Sequence, residues 1–340
     1  MNRREVVMEA LEFRPPPYVP WAYGLTLQSQ ERMRGHFGPG RDLEALVGSH
    51  FWNLTPTIWD FEQMGENLYR DTYGVIWDRS VDKDIGTPIE SPLKRPEDLE
   101  GFDWPDPALD RWYDHIPGEL ARRGDLFTRF RISFTLYERA WSMRGMTELL
   151  MDMIERPEFV ERLLDKIVEH TLVQIRRGLT YGVDAFYFGD DYGMQTGLVM
   201  GLERWRHFFK PRLRRLFAPV REAGKYVFLH SCGRVDSLFD DLIEVGLSCF
   251  NPFQPEVMDV FALKKRYHGR LAFHGGMSIQ KTLPFGSTDE VRRATRALIA
   301  AGRPGGYVFS PSHGVPYDVP PENLVAMMAD LRAQPGSPQE

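Results

Sequence analysis

The sequence predicts an α/β protein in which eight parallel strands close into a (β/α)8 barrel, also called a TIM barrel. From about Pro157 onward, five short apolar runs alternate with helical segments, which is typical of a parallel sheet with crossover helices. Three apolar runs upstream raise the number of candidate strands to eight. An open doubly wound sheet is the alternative, but no Gly-x-Gly-x-x-Gly motif follows the first candidate strand.

The individual elements follow from apolar runs, apolar periodicity and the residues at the ends of each segment. Pro157 opens a long helix at a favoured first position, and Gly182 closes it as a left-handed cap. The expected strands are 18–23, 51–54, 126–132, 185–188, 226–229, 247–250, 271–273 and 307–309. The later helices are expected at about 203–223, 235–245, 260–267 and 289–301, with a last one from about 321.

Residues from about 59 to 125 do not follow this alternation, and we interpret them as an insertion into a single domain that spans residues 1–340. The segment 69–77 has the pattern of one antiparallel strand, and the segment 88–107 is acidic and rich in proline. We expect this insertion in the N-terminal half to lie over the barrel mouth. A plain surface insertion is the alternative.

Composition excludes several classes of protein. The chain is 42% hydrophobic and 26% charged, with a formal net charge of −6, which argues against a nucleic-acid surface. It has neither a run of about 18 apolar residues, as a membrane span needs, nor an apolar core for a signal peptide near its N-terminus. The two cysteines, Cys232 and Cys249, are not expected to pair, so a reducing cytoplasm is the expected location.

The most informative motif is His230-Ser-Cys232-Gly, directly after the apolar run 226–229. Residues two apart in extended structure point the same way, so the imidazole and the thiol are expected to face one side. Both groups are ligands that suit zinc. The alternative interpretation is a buried cysteine beside a histidine that hydrogen-bonds a carbonyl group.

Other polar residues also follow the candidate strands, at the end of the barrel where this fold assembles its active sites. They are Tyr23, Asp190, Asp191, Asn251, Gln254, His274 and His313. A third ligand beside His230 and Cys232 would leave one position open, as in catalytic zinc sites. His313 is the first candidate for it, and Asp191 and His274 are alternatives. The other interpretation of His313 is substrate binding without metal.

The remaining candidates are assigned to proton transfer and substrate binding. Asp190 and Asp191 are candidates for a general acid or base or for orienting the histidine ligands, and at least one of them is expected only to cap a turn. A His-Gly-Gly sequence indicates close approach of the backbone to a ligand. The residues interpreted as substrate contacts are Gln195, Asn251, Gln254 and His274.

These motifs resemble, nearly end to end, the uroporphyrinogen decarboxylase superfamily, which includes zinc- and cobalamin-dependent methyltransferases. The matching pieces are Arg3-Arg-Glu-Val-Val-Met-Glu-Ala-Leu, Asp71-Thr-Tyr-Gly-Val-Ile-Trp, Pro92-Leu-Lys-Arg-Pro-Glu-Asp-Leu, Gly189-Asp-Asp-Tyr-Gly-Met-Gln, His230-Ser-Cys-Gly, Asn251-Pro-Phe-Gln-Pro, His274-Gly-Gly and Gly305-Gly-Tyr-Val-Phe-Ser-Pro-Ser-His-Gly-Val. The resemblance implies a (β/α)8 barrel with its pocket at the C-terminal mouth, and it implies a homodimer.

Within the superfamily, the His-x-Cys pair resembles the methyltransferase branch, in which a His, a Cys and a later Cys bind zinc. His230 and Cys232 match the first two ligands, whereas His313 stands where the thiol methyltransferases carry the later Cys. A His at that place also resembles the Gly-His-Gly loop of the decarboxylase. The decarboxylase's arginine-rich stretch after the first strand is not matched, since Arg32 and Arg34 lie a helical turn further on.

The resemblance therefore favours a methyltransferase that moves a methyl group between a small-molecule donor or thiol and a corrinoid (cobalamin) carried by a partner protein. In this hypothesis His230, Cys232 and His313 hold zinc, while Asp191 or Tyr23 handles the proton. A metal-free uroporphyrinogen decarboxylase, in which Cys232 is replaceable, is the first alternative. A non-catalytic protein that binds a tetrapyrrole or corrinoid is the second.

Overall fold

The protein is described by a computed structural model over residues 1–338, and its strands form one parallel and two antiparallel sheets. In chain order the strands are β1 (Phe51–Leu54), β2 (Phe61–Gln63), β3 (Leu68–Asp71), β4 (Ile76–Asp78), β5 (Thr87–Glu90), β6 (Phe127–Ile132), β7 (Ala185–Gly189), β8 (Gly193–Met194), β9 (Gly197–Leu198), β10 (Tyr226–His230), β11 (Cys249–Phe253), β12 (Ala272–Met277) and β13 (Tyr307–Pro311).

The central sheet is curled and has seven strands in the order β1, β6, β7, β10, β11, β12 and β13. Every neighbouring pair is parallel, so successive strands along the chain are connected by crossover segments. These seven strands overlap seven of the eight expected from the apolar runs. The fold class is therefore confirmed as a TIM-barrel-like α/β fold.

The expected strand 18–23 is reduced to one isolated bridge, between Trp21 and Phe309 of β13, and the segment lies between the two edges of the sheet. The Ala22 amide donates to the Phe309 carbonyl of β13 at 3.0 Å, and the His50 amide beside β1 donates to the Trp21 carbonyl at 2.9 Å. Prolines in and before this segment lack the N–H group that a regular strand needs. The segment thus occupies the eighth place and links both edges of the sheet without being a full strand.

Helices cover the outside of the sheet, and the longest of them begins at Pro157 and ends at Leu179, as expected. They are α1 (Arg3–Leu11), α2 (Leu27–Phe37), α3 (Leu43–Val47), α4 (Ile116–Arg122), α5 (Tyr137–Arg144), α6 (Met146–Glu155), α7 (Pro157–Leu179), α8 (Leu202–Phe208), α9 (Lys210–Glu222), α10 (Phe239–Glu244), α11 (Val260–Arg266), α12 (Thr282–Phe285), α13 (Thr288–Gly302) and α14 (Pro321–Arg332). The single helix expected at 203–223 is two helices, because Pro211 favours the first turn of a new helix. No helix within residues 1–338 is long and apolar enough to cross a membrane.

The interior of the barrel is filled by every second residue of the parallel strands, because strand side chains alternate between two faces. Aromatic rings of Phe51, Phe127 and Phe228 contact one another at centroid distances of 5.7 to 6.3 Å and close the N-terminal part of this interior. The buried members of this cluster are Val7, Leu11, Ala22, Phe51, Phe127, Ala185, Tyr187, Phe228, Cys249, Ala272 and Val308. Only polar groups nearer the mouth are therefore placed to meet a ligand.

The insertion contains an antiparallel sheet of four strands, β2 to β5, and the segment read as one strand is in fact the hairpin of β3 and β4. Asp71 makes that turn, because its Oδ1 accepts the amides of Tyr73 and Val75 at 2.9 Å. Its Oδ2 forms a buried ion pair with Arg139 of α5, the helix that follows β6, at 3.1 Å. The pair connects the insertion to the carboxyl end of the barrel.

Candidate functional site

The His230-Ser-Cys232-Gly turn follows β10 and brings its two donor atoms together. The Nε2 of His230 lies 3.3 Å from the Sγ of Cys232. Tetrahedral zinc holds nitrogen and sulfur ligands at about 2.0 and 2.3 Å, which places such a pair roughly 3.5 Å apart. The turn needs glycine at position 233, because φ there is +83° and a Cβ would lie 2.4 Å from the backbone of Gly193.

His313 reaches the same place from the loop after β13. Its ring centroid lies 5.4 Å from that of His230. His230, Cys232 and His313 each offer one ligand atom, and these three atoms lie within 4.8 Å of one another. The three residues expected to hold a metal are thus brought together, and we call them the donor cluster. Burial of the ring and, to a smaller extent, the nearby charge of His230 together lower the pKa of His313 to about 4.

Hydrogen bonds below the donor cluster select which nitrogen of His230 is available. The Nδ1–H of His230 donates to the Oδ1 of Asn251 at 2.7 Å, which leaves the Nε2 lone pair facing Cys232. The same Oδ1 accepts from the Tyr187 hydroxyl at 3.1 Å, and the Asn251 amide donates to His274. Asn251 was expected to contact substrate, but all its polar atoms are used inside the barrel.

His274 is likewise used inside the barrel and does not join the donor cluster. Its Nε2–H donates to the Ala22 carbonyl at 2.7 Å, and its Nδ1 accepts from the Asn251 amide at 3.1 Å. Burial lowers the pKa of His274 to about 3, so the ring stays neutral. The expectation that His274 binds substrate, or serves as an alternative third ligand, is not supported by this placement, because neither ring nitrogen is free.

The two aspartates after β7 have different surroundings. Asp191 lies beside the donor cluster: its Oδ1 accepts the Cys232 amide at 2.8 Å and is 3.7 Å from the Nε2 of His230. Its position suits a proton carrier or a further ligand. Asp190 is fully buried and accepts the amides of Tyr137 and Glu138 at 3.0 and 2.7 Å. Burial raises the pKa of Asp190 to about 7.

Asp190 therefore caps the start of α5 from a different part of the chain, which is the role foreseen for at least one of the pair. The Tyr192 hydroxyl also donates to its Oδ2. All these donors hold the carboxylate in place and none belongs to the donor cluster. A direct part in proton transfer to a ligand at the mouth is consequently unfavourable for Asp190.

Glu138 is a site residue that the sequence reasoning missed. It lies in the first turn of α5, where its carboxyl group is buried close to Asp190 and Asp191. Burial raises the pKa of Glu138 well above its usual range, and the charges of Asp191 and Asp190 raise it further. Its sequence signal is weak, because it lies six residues beyond the end of β6 rather than directly after a strand.

The donor cluster has the charge pattern of a cation site. Burial raises the pKa of the Cys232 thiol well above its usual range, and the carboxylates of Asp191 and Glu138 raise it further. Across the described residues, neither carboxylate forms an ion pair with a lysine or arginine. A divalent metal would supply the absent positive charge and favour the thiolate. The donor set therefore fits zinc, which prefers nitrogen and sulfur ligands.

Tyr23 was expected at the mouth, but its side chain is directed away from the barrel interior. Ala22 faces inward, so the alternation of an extended chain turns its neighbour outward. Burial raises the pKa of the Tyr23 hydroxyl, and the charge that opposes this shift comes from Arg332 on α14. Tyr23 is therefore separated from the donor cluster, and a proton-transfer role is not supported.

The two glutamines expected to contact substrate have different positions. Gln254 is buried, and its Oε1 accepts the amide of Gly233 at 3.2 Å, so it supports the turn that carries Cys232. Gln195 is exposed in the hairpin of β8 and β9, which packs on that turn. Of the two, only Gln195 has a side chain open to a ligand outside the barrel.

Comparison with known proteins places this site in a family. A sequence model described as Uroporphyrinogen decarboxylase (URO-D) matches residues 86–334. Two curated proteins named uroporphyrinogen decarboxylase are similar: that of Syntrophotalea carbinolica is 26% identical over 205 residues, and that of Anaeromyxobacter dehalogenans is 25% identical over 259. The first alignment covers 58% of this chain and 55% of the relative, the second 74% and 72%. The chain thus spans about half the length of the first relative.

A solved structure, a methyltransferase from Methanosarcina mazei, has the same fold. It superposes with a TM-score of 0.72, covering 97% of this chain and 98% of that one, at 18% sequence identity. This likeness supports the TIM-barrel-like architecture over nearly the whole chain.

Proposed function

The chain belongs to the uroporphyrinogen decarboxylase family, and on that premise we propose that it is a zinc-dependent methyltransferase. The proposed reaction moves a methyl group between a small-molecule donor or thiol and a corrinoid carried by a partner protein. The observation that carries the proposal is the donor cluster of His230, Cys232 and His313, whose ligand atoms lie within 4.8 Å of one another. An imidazole–thiolate set with a position left for substrate is the arrangement of catalytic zinc.

Zinc, when bound by these three residues, supplies a Lewis acid that lowers the pKa of a substrate thiol or polarises a methyl donor. The residues around it have separate tasks. Asn251 holds His230 with its Nε2 toward the cluster, and the Cys232 amide is fixed by Asp191. The Asp191 carboxylate also faces His230 and is the group placed to take or return the substrate's proton.

A metal-free decarboxylase is the second candidate, because the similar curated proteins carry that name. In that reaction Asp191 and His313 would be essential and Cys232 would be replaceable. The two functions therefore differ in the role of a single thiol. A protein that only binds a tetrapyrrole or corrinoid would show ligand binding without turnover of either kind.

The test is the metal content of the purified protein, measured by mass spectrometry on samples prepared without chelators. We expect about one zinc per chain, as a three-ligand site holds one ion. Zinc should be lost in both Cys232→Ala and His313→Ala. Matched controls are Cys249→Ala in the barrel interior and His207→Ala on the surface of α8, which should keep their zinc.

The same samples are then assayed for transfer from methylcobalamin to thiols and for decarboxylation of uroporphyrinogen. Methyl transfer that disappears in Cys232→Ala supports the proposal. Decarboxylation that persists in Cys232→Ala, in a protein without zinc, would overturn it in favour of the second candidate. Zinc kept in His313→Ala and lost in Cys232→Ala would move the third ligand to Asp191.

A further inference from the structure

Strand β6 places two arginines in the interior of the barrel. Phe127 faces inward, so Arg129 and Arg131 occupy the next two inward positions toward the mouth. Arg129 is only 5% exposed, and its guanidinium carbon lies 4.0 Å from the ring centroid of Phe51 and 4.8 Å from that of Tyr187. Its hydrogen bonds go to the neutral Asn53 side chain at 2.8 and 3.0 Å.

Neither arginine has a carboxylate partner in the described part of the chain. The Nη1 of Arg129 and the Nε of Arg131 are buried and without a hydrogen-bond partner there. The guanidinium carbon of Arg131 lies 5.0 Å from the ring centroid of Tyr187, and Arg131 lines a small cavity of about 60 Å³ together with Trp59 and Phe134. Arg131, which is nearer the mouth than Arg129, is half-buried, so its guanidinium group is open to an anionic group that enters this cavity.

Tyr187 lies close both to the two arginines and to His230 of the donor cluster. Its ring centroid is 6.1 Å from that of His230, and its hydroxyl donates to Asn251. The guanidinium group of Arg131 and the imidazole of His230 thus both lie next to the ring of Tyr187.

Two buried arginines without a carboxylate partner are unfavourable in free energy. Buried charged groups in proteins are normally paired, and two neighbouring cations also repel each other. Burial lowers the pKa of Arg129 to about 9, which reflects that cost. A guanidinium group binds carboxylate, sulfonate or phosphate oxygens through two parallel N–H groups, so one anion near both arginines would offset it.

We propose that Arg131, supported by Arg129 beneath it, binds an anionic group of the substrate. The methyl donor or acceptor is then a small molecule with a carboxylate, sulfonate or phosphate at one end and the reacting heteroatom at the other. The inference about the reacting heteroatom depends on the proposed function. The inference of an anion subsite depends only on the two arginines.

The test compares thiols of similar length that differ in their end group. The probes are 2-mercaptoethanesulfonate, 3-mercaptopropionate, neutral 2-mercaptoethanol and cationic cysteamine, with affinities for the zinc-loaded protein taken from thermal-shift titrations. Inorganic phosphate and sulfate are titrated into the metal-free protein as probes of the anion subsite by itself. We expect the anionic thiols to bind at least tenfold more tightly than the neutral one, with a preference that weakens as salt increases.

Substitution of each arginine separates binding from folding. Arg131→Gln should abolish the preference for anions and Arg131→Lys should keep part of it, while the exposed Arg303→Gln is the matched control. Arg129→Met should weaken anion binding without lowering the melting temperature, because it removes an unpaired buried charge. If the two arginines only stabilised the fold, their substitution would lower the melting temperature and leave the preference for anionic thiols unchanged.

The outcomes distinguish this inference from the proposed function. Suppose that the native protein contains no zinc but binds phosphate or sulfate, and that Arg131→Gln abolishes this binding. The anion subsite would then be supported, and the methyltransferase proposal would be rejected. A zinc-loaded protein that binds the neutral and anionic thiols equally overturns the subsite. The same holds when the preference persists unchanged in Arg131→Gln.

Discussion

Asn251 shows how one residue couples the chemistry of the site to the barrel beneath it. Its carbonyl oxygen accepts from His230 and Tyr187, and its amide nitrogen donates to the ring nitrogen and the carbonyl of His274. Every polar group of the side chain therefore has a partner, and each partner is buried or half-buried. Such a residue sets the orientation of a ligand rather than contacting substrate.

The residue-scale prediction concerns the affinity for zinc. Asn251→Ala removes the acceptor that fixes the Nδ1–H of His230, so zinc should bind about 10 to 100 times more weakly. Asn251→Asp keeps that acceptor and should stay within a few-fold of the native protein. Competition with a chelator of known affinity measures both values. Equal affinities in the alanine and aspartate variants would show that the ring of His230 is oriented by something else.

At the scale of elements, the turn after β10 depends on close packing against the hairpin of β8 and β9. The backbone of Gly233 approaches that of Gly193 so closely that neither position has room for a Cβ. A larger residue would push the turn and Cys232 away from His230. The close contact of the two glycines thus determines the position of the Cys232 thiol relative to His230.

The prediction at this scale compares two glycines that both have positive φ. At Gly224 φ is +69° and nothing lies within 4 Å of an added Cβ, so Gly224→Ala should cost about 1 kcal/mol from backbone strain alone. Gly233→Ala adds the collision with Gly193 and should cost at least twice as much, with loss of zinc. Urea unfolding and metal analysis test the pair. Similar costs with zinc retained would contradict the packing argument.

At the scale of the whole molecule, the insertion packs into the main core and is joined to the elements that follow β6 by buried polar contacts. The ion pair of Asp71 and Arg139 is the central one, and the Arg139 guanidinium also lies 3.7 Å from the ring centroid of Tyr73. Further along the insertion, Asp84 accepts the amide of Leu27 at the start of α2. The insertion is therefore attached both to α5 and to the start of α2.

We expect Arg139→Met to destabilise the protein by about 3 to 5 kcal/mol, because it leaves the Asp71 charge buried and unpaired. Limited proteolysis should then cut within residues 79–86 faster than in the native protein. The control is Glu62→Gln, which removes an exposed partner of Arg70 at 3.9 Å and should cost less than about 1 kcal/mol. A cleavage rate unchanged in Arg139→Met would show that the pair does not secure the insertion.

The sequence was sufficient for the sheet and for the donor cluster, because both follow from local patterns. Apolar runs define strands, and residues at the carboxyl ends of parallel strands converge on one face. The hydrogen bond of His274 to the Ala22 carbonyl could not be predicted, because Ala22 lies 252 residues away in the chain. No spacing rule reports such a contact, and the direction of Tyr23 depends in the same way on how the first segment meets β13.

The missed residues have different causes. Glu138 reaches the site only through the path of the loop before α5, which depends on tertiary packing. Arg129 and Arg131 did leave a signal, since two charged residues inside the apolar run of β6 are unusual for a buried strand. Their significance appears only in the structure, where neither arginine forms an ion pair with a carboxylate of residues 1–338.

A continuous series of hydrogen bonds joins the segment 18–23 to His230 of the donor cluster. It runs from Ala22 to His274, from His274 to Asn251 and from Asn251 to His230. The ring of His230 is consequently in its working orientation only when the N-terminal segment has docked between the two edges of the sheet. Ligand affinity is in this sense a readout of barrel closure. In a folding intermediate, the segment 18–23 would not yet be docked between the two edges of the sheet. Such an intermediate would contain every residue of the site, but the imidazole of His230 would not be oriented to bind a metal.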